Sequence, residues 1–225
     1  MHERAVVVQR PQRAAQLVLL FHGVGSSAAD LVPLGEVIAR SRPDAMVVSV
    51  DGPHASTLGR GREWFSVLGV TEQNRPERIA QALPLFLDAV AHWQQESAVG
   101  PELTVLVGFS QGAILALEAT QVEAGPLAAA RVIALAGRFA QPVRRAPQAL
   151  QLHLVHGEED AVVPTRYSVE AAHALQALGA HVTLDLLPGL GHGIDGRAVR
   201  LLLGYLGGNG GAISASSPSS PAAPR

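Results

Sequence analysis

The chain has 225 residues, of which 48% are hydrophobic and 16% charged, with 17 Lys+Arg against 19 Asp+Glu and no cysteine. This length and composition fit one domain with a sizeable core and exclude a disordered chain. The even charge balance leaves no footprint for nucleic acid or an anionic membrane. The lack of cysteine excludes a disulfide framework, a Cys-ligated metal site and a thiol nucleophile.

Residues 1–16 contain basic side chains but no long apolar segment followed by a small-residue cleavage site. The longest apolar runs are strand-sized, well short of the roughly 18 residues a membrane helix needs. A soluble, cytoplasmic protein without a membrane span is therefore expected.

Residues 5–9 and 17–21 are the first predicted strands, and the second is followed by Phe21-His22-Gly23-Val24-Gly25. A helix is predicted over 28–41, where Leu31, Leu34, Val37 and Ile38 recur at helical spacing. A strand at 45–50 leads into a long connection, 52–74, with no clear period. Connections of that length are usually functional. Its adjacent Trp64 and Phe65 are expected to be exposed and to form part of a substrate-binding wall, although packing as a satellite of the core is the competing reading. A helix over 75–97 and a strand over 103–108 follow.

Gly108-Phe109-Ser110-Gln111-Gly112 directly follows that strand and opens a helix predicted over 111–123. G-x-S-x-G between strand and helix is the pattern of a nucleophile elbow. There the central serine takes a strained conformation, and the flanking glycines let neighbouring backbone pass. A serine hydroxyl needs a base, and in this architecture the chain order is Ser, acid, His. Strands at 131–135 and 150–156 come next, the latter running into Gly157-Glu158-Glu159-Asp160. Asp160 is the preferred acid, because the Ala-Val-Val-Pro after it leads into a helix over 164–178; Glu158 and Glu159 read as a solvated turn.

After a last strand at 182–187, His192 lies in Pro188-Gly189-Leu190-Gly191-His192-Gly193 and is the candidate base. His173 falls inside a helix and His181 begins a strand. The other histidines, His153 and His156 included, lack metal-site spacing such as H-E-x-x-H and read as core or surface residues. The oxyanion of an acyl-transfer intermediate needs backbone N–H donors. One belongs to the residue after the nucleophile, Gln111, and Val24 in the loop after the early strand is the candidate for the other. A helix over 194–206 closes the domain, 1–206. The tail 207–225 is rich in Gly, Ser, Pro and Ala and is expected to be disordered.

Strands alternating with helices predict an α/β fold: a mostly parallel central sheet of about seven strands flanked by helices. The motifs LFHGVGSS, GFSQGA, HGEEDAVVP and LPGLGHGI, with REWF in the long connection, together resemble the α/β-hydrolase superfamily, in its small carboxylesterase and phospholipase/thioesterase-like branch. The resemblance spans 17–206. It implies Ser110, Asp160 and His192 as a catalytic triad, Val24 and Gln111 as oxyanion donors, an acyl pocket near Trp64 and Phe65, and a small-molecule ester or thioester substrate. No metal or cofactor is implied. Only 136–149 separates two successive strands, too little for a helical cap domain, so an open site is expected.

Two other readings compete. Gly23-Val24-Gly25-Ser26-Ser27-Ala28 fits G-x-G-x-x-G/A after a strand, and Asp51 ends the next strand as a ribose-binding acid would; these suggest a nucleotide-binding oxidoreductase. A non-catalytic, ligand-binding relative of the hydrolases would share the fold without the chemistry.

Overall fold

The computed structural model describes residues 4–123, 127–147 and 149–207. From the N-terminus the strands are β1 (Ala5–Gln9), β2 (Gln16–Phe21) and β3 (Ala45–Val50), with α1 (Val32–Ser41) between β2 and β3. The two-residue strands β4 (His54–Ala55) and β5 (Arg62–Glu63) precede α2 (Arg75–Ser97). Then come β6 (Thr104–Phe109), α3 (Gln111–Ala119), β7 (Arg131–Leu135), β8 (Gln151–Gly157), α4 (Arg166–Ala177), β9 (His181–Leu187) and α5 (Gly196–Gly207).

Seven strands form one sheet in the order β1-β3-β2-β6-β7-β8-β9, parallel except for β1. The expected α/β fold is therefore present. Its central strands are continuous Val/Leu/Ile runs because both faces are covered. Alternate residues serve opposite layers. Leu17, Leu19 and Phe21 of β2 join a core with Ile79, Phe86 and Trp93 of α2, Leu115 of α3 and Leu175 of α4. Val18 and Leu20 face Ile38 of α1 and Leu202 of α5. Phe86 is wholly buried; its truncation to Ala would cost about 3–5 kcal/mol.

The chain steps from β2 outward to β3, then returns to place β6 on the other side of β2. That reversal is a topological switch point, and the crevice beyond the strand ends is where open α/β sheets bind ligands. Phe21 pairs with Gly108 and Gly157 with Leu187, so the loops after β2 and β6 emerge together, as do those after β8 and β9.

Several expected boundaries shift. The helix expected from 111 to 123 ends at Ala119. There the Thr120 and Gln121 amides donate to Leu117 and Glu118, and the Thr120 hydroxyl caps the Leu117 carbonyl at 2.6 Å. The connection 52–74 is not without regular structure: β4 and β5 pair as a small antiparallel ribbon within it. No helix occupies the described residues between β7 and β8, as a fold without a cap requires. The expected tail falls on residues outside those described, except for Gly207, which ends α5. Among the described residues, no helix is long and apolar enough to cross a membrane.

Candidate active site

Ser110 sits between β6 and α3 with φ 52° and ψ −113°, a conformation costly for a residue with a side chain. The elbow holds because its neighbours are glycines. A Cβ on Gly108 would lie 2.4 Å from the Ala113 nitrogen, and one on Gly112 would lie 2.3 Å from the Phe21 carbonyl oxygen. The Ser110 N–H donates to the Leu135 carbonyl at 3.0 Å and fastens the turn to β7.

His192 and Asp160 come from the loops after β9 and β8. Gly157 makes their approach possible, since a Cβ there would lie 2.2 Å from the Leu190 oxygen. The Glu158 N–H then donates to Leu187 at 3.1 Å and the Glu159 N–H to Leu190 at 3.0 Å, lacing the two loops together. His192 Nε2 lies 2.9 Å from Ser110 Oγ, and its Nδ1 lies 2.7 Å from Asp160 Oδ2. The acceptor-only carboxylate puts the proton on Nδ1 and leaves Nε2 to take the serine proton. The ring of Phe109 packs 5.1 Å from that of His192.

The Asp160 side chain is fully buried. Burial opposes its charge, but hydrogen bonds from His192 and from the Val163 and Val162 amides outweigh it and hold the carboxyl below its usual range. Glu158 and Glu159 are exposed, as are His173 and His181. Of the candidate acids Glu158, Glu159 and Asp160 and the candidate bases His173, His181 and His192, the fold thus brings only Asp160 and His192 to Ser110.

Gly23 packs against the elbow: a Cβ there would lie 3.1 Å from that of Ser110. His22 is wholly buried, and the Gly52 N–H donates to its Nε2 at 2.9 Å. Its Nδ1 therefore carries the proton and donates to the Gly23 carbonyl at 2.6 Å. Fixing that carbonyl turns the opposite edge of the same peptide, the Val24 N–H, the other way. Burial keeps His22 below the ordinary imidazole range, so it stays neutral. Neither the Val24 nor the Gln111 N–H meets an acceptor among the described residues.

Trp64 and Phe65 are not the exposed pair expected. Trp64 is 1% and Phe65 7% exposed. Trp64 packs edge-on against Phe21 and Phe86, with ring centroids 5.6 and 5.4 Å away. Both side chains pack into the buried core, as the competing reading expects. What reaches the elbow from this segment is its backbone: Gln111 Oε1 accepts the Trp64 N–H and Nε2 donates to the Phe65 carbonyl, both at 2.7 Å.

The nucleotide-binding reading fails on the same loop. The Gly25 N–H donates to Arg62, that of Ser26 to Gly23, that of Ser27 to Asp30 and that of Ala28 to Asp51. A phosphate would need those amides free. Asp51, the supposed ribose acid, is spent capping the short helical turn at Ala28.

From sequence His156 is expected to be an ordinary core or surface residue. It is fully buried with Nε2 3.1 Å from Asp160 Oδ2. Its place four residues before the acid across the Gly157 turn was the available signal.

Residues 2–207 match the family described as Phospholipase/Carboxylesterase. The chain is 44% identical over 205 residues to the esterase YpfH of Escherichia coli (strain K12), covering 91% of this chain and 88% of that protein. It is 26% identical to the acyl-protein thioesterase 1 homolog 1 of Dictyostelium discoideum, over 78% of this chain and 82% of that one. The crystal structure of esterase PE8 superposes with a TM-score of 0.77 at 30% identity, covering 86% of this chain and 92% of that chain.

Proposed function

The chain belongs to the phospholipase/carboxylesterase family, and on that premise we propose that it is a serine carboxylesterase working through Ser110, His192 and Asp160. The observation that carries this reading is His192 bridging the other two, 2.9 Å from the hydroxyl and 2.7 Å from the carboxylate. Ser110 Oγ attacks the acyl carbonyl carbon while His192 Nε2 takes its proton. Asp160 keeps the ring in the required tautomer and offsets the imidazolium charge. The developing oxyanion lies against the Val24 N–H in the loop after β2 and the Gln111 N–H at the start of α3, where donors set in advance stabilise charge that appears only in the transition state. The tetrahedral intermediate expels the alcohol, which leaves with the proton from His192. Water then gives a proton to His192 and attacks the acyl-serine, and the second tetrahedral intermediate releases the carboxylic acid as Ser110 Oγ takes that proton back from His192.

The relative named as an acyl-protein thioesterase extends the same chemistry to thioesters, whose leaving group is a thiol. The test is labelling by a fluorophosphonate, followed by hydrolysis of matched ester and thioester series of graded acyl length. Label on Ser110 with saturating ester hydrolysis is expected. A folded protein that takes no label and turns over neither series would be a non-catalytic relative.

A further inference from the structure

Asp160 is held by a second histidine that plays no part in the proton transfer just described. His156 Nε2 lies 3.1 Å from Asp160 Oδ2 and 2.8 Å from the Val163 carbonyl oxygen. Both neighbours are acceptors, so Nε2 carries a proton and donates to both. Its Nδ1 lies 2.7 Å from the Ser168 hydroxyl on α4, which in turn lies 3.4 Å from the Gly137 carbonyl. The other oxygen of Asp160, Oδ1, accepts the Val162 and Val163 N–H groups, each at 2.8 Å. A carboxylate offers about four acceptor sites. Two amides, His192 and His156 fill them.

We propose that His156 is a positioning residue for the triad acid: its Nε2–H shares Asp160 Oδ2 with His192, fixing the carboxylate plane and limiting the charge available to His192. The proposal rests on the triad reading above. Sharing has a direct consequence. With His156 absent, the negative charge on Oδ2 faces His192 alone, and the charged form of His192 is favoured. Among the described residues, the ionisable side chains in contact with this carboxylate are the two histidines. The adjacent Glu158 and Glu159 are exposed, the elbow presents Ser110 and Phe109 to His192, and Arg138 on the loop after β7 is committed to Glu72.

The test compares wild type, His156→Leu and His156→Gln, since a glutamine amide nitrogen can reach the place of Nε2. In His156→Leu the acid-side midpoint of the kcat/KM–pH profile should rise by about 0.5 unit or more. The downfield proton resonance of the His192–Asp160 hydrogen bond should move, and kcat should fall about tenfold with KM little changed. His156→Gln should restore midpoint and resonance. An unmoved midpoint in a folded His156→Leu enzyme would overturn the proposal. So would equal displacement in both variants, which would assign the effect to packing. If His156→Leu does not fold, the imidazole nitrogen spectrum of the wild type decides: a proton on Nε2 of His156 supports the proposal, and a neutral ring protonated on Nδ1 overturns it. An active His192→Ala enzyme would retire the triad reading itself, separately from these arms.

Discussion

Arg138 grips Glu72 across 66 residues of chain, with guanidinium nitrogens 3.1 and 2.8 Å from the two carboxylate oxygens. The guanidinium also lies over the Tyr167 ring, 3.6 Å from its centroid. The pair ties the connection before α2 to the loop after β7. Hydrogen bonds from Arg138 and Arg75 hold the Glu72 carboxyl down at about 2, against 4.5 ordinarily. A carboxyl lowered in the folded state stabilises above its unfolded value, and the contribution is lost as pH falls from about 4.5 to about 2. Glu72 is 57% exposed, so solvent screening limits that contribution to about 1 kcal/mol or less. Glu72→Gln should lower the melting temperature slightly at pH 7 and not at pH 2. Melting curves of both proteins across that range test it; an equal difference at both ends would show that charge is not the cause.

The elbow makes a prediction about stability as well as activity. Removing Oγ in Ser110→Ala should cost on the order of a million-fold in turnover. The backbone stays at φ 52° in that variant. Ser110→Gly should be equally inactive yet more stable than Ser110→Ala by about 1 kcal/mol, because glycine takes positive φ without strain. Chemical denaturation of the two inactive variants measures the difference, and a less stable Ser110→Gly would mean that the strain is relieved elsewhere.

The proposal of Asp160 as the acid rests on its contact with His192, so neighbouring acids serve as internal controls. Asp160→Asn should lose about four orders of magnitude in kcat, because the amide no longer enforces the His192 tautomer. Glu158→Gln and Glu159→Gln should stay near wild type, since both side chains are exposed. Steady-state kinetics on one activated ester compares all three; a crippled Glu158→Gln or Glu159→Gln enzyme would move the acid and leave the nucleophile untouched.

Sequence legibility followed the reach of the interactions. Gly108 and Gly112 announce Ser110 because no other residue fits beside Ala113 and Phe21. Asp160 and His192 could be found because a parallel sheet delivers its loops to one edge in chain order. Nothing local separates Trp64 the pocket wall from Trp64 the core residue, since the deciding contacts with Phe21 and Phe86 are distant in sequence. Strands of two residues, as in β4 and β5, have no period to read. The Gln111 side chain was invisible for the same reason as the Glu72–Arg138 pair: its partners, Trp64 and Phe65, lie 47 and 46 residues away.

His153 sets how stability responds to mild acid. It is buried between β8 and α5, its ring stacked 3.7 Å from that of Tyr205 and its Nδ1 2.9 Å from Thr183 Oγ1. Its Nε2 is buried without a partner among the described residues. A proton there would be an orphaned donor in the interior, so burial, helped by Arg131, lowers the group from 6.5 to about 4. Between those values the unfolded chain binds a proton that the folded protein refuses. Stability is therefore full above about pH 6.5 and falls as pH drops to about 4; the limit is roughly 1.4 kcal/mol per pH unit for one group. His22, also lowered by burial, adds to the slope with the same sign. His153→Phe keeps the ring against Tyr205 and removes the titrating nitrogen, so it should flatten the dependence without abolishing it, leaving the share due to His22. Unfolding free energies measured at half-unit steps from pH 7 to pH 4 make the comparison. Parallel curves for wild type and His153→Phe would show that His153 takes up its proton in the folded state too.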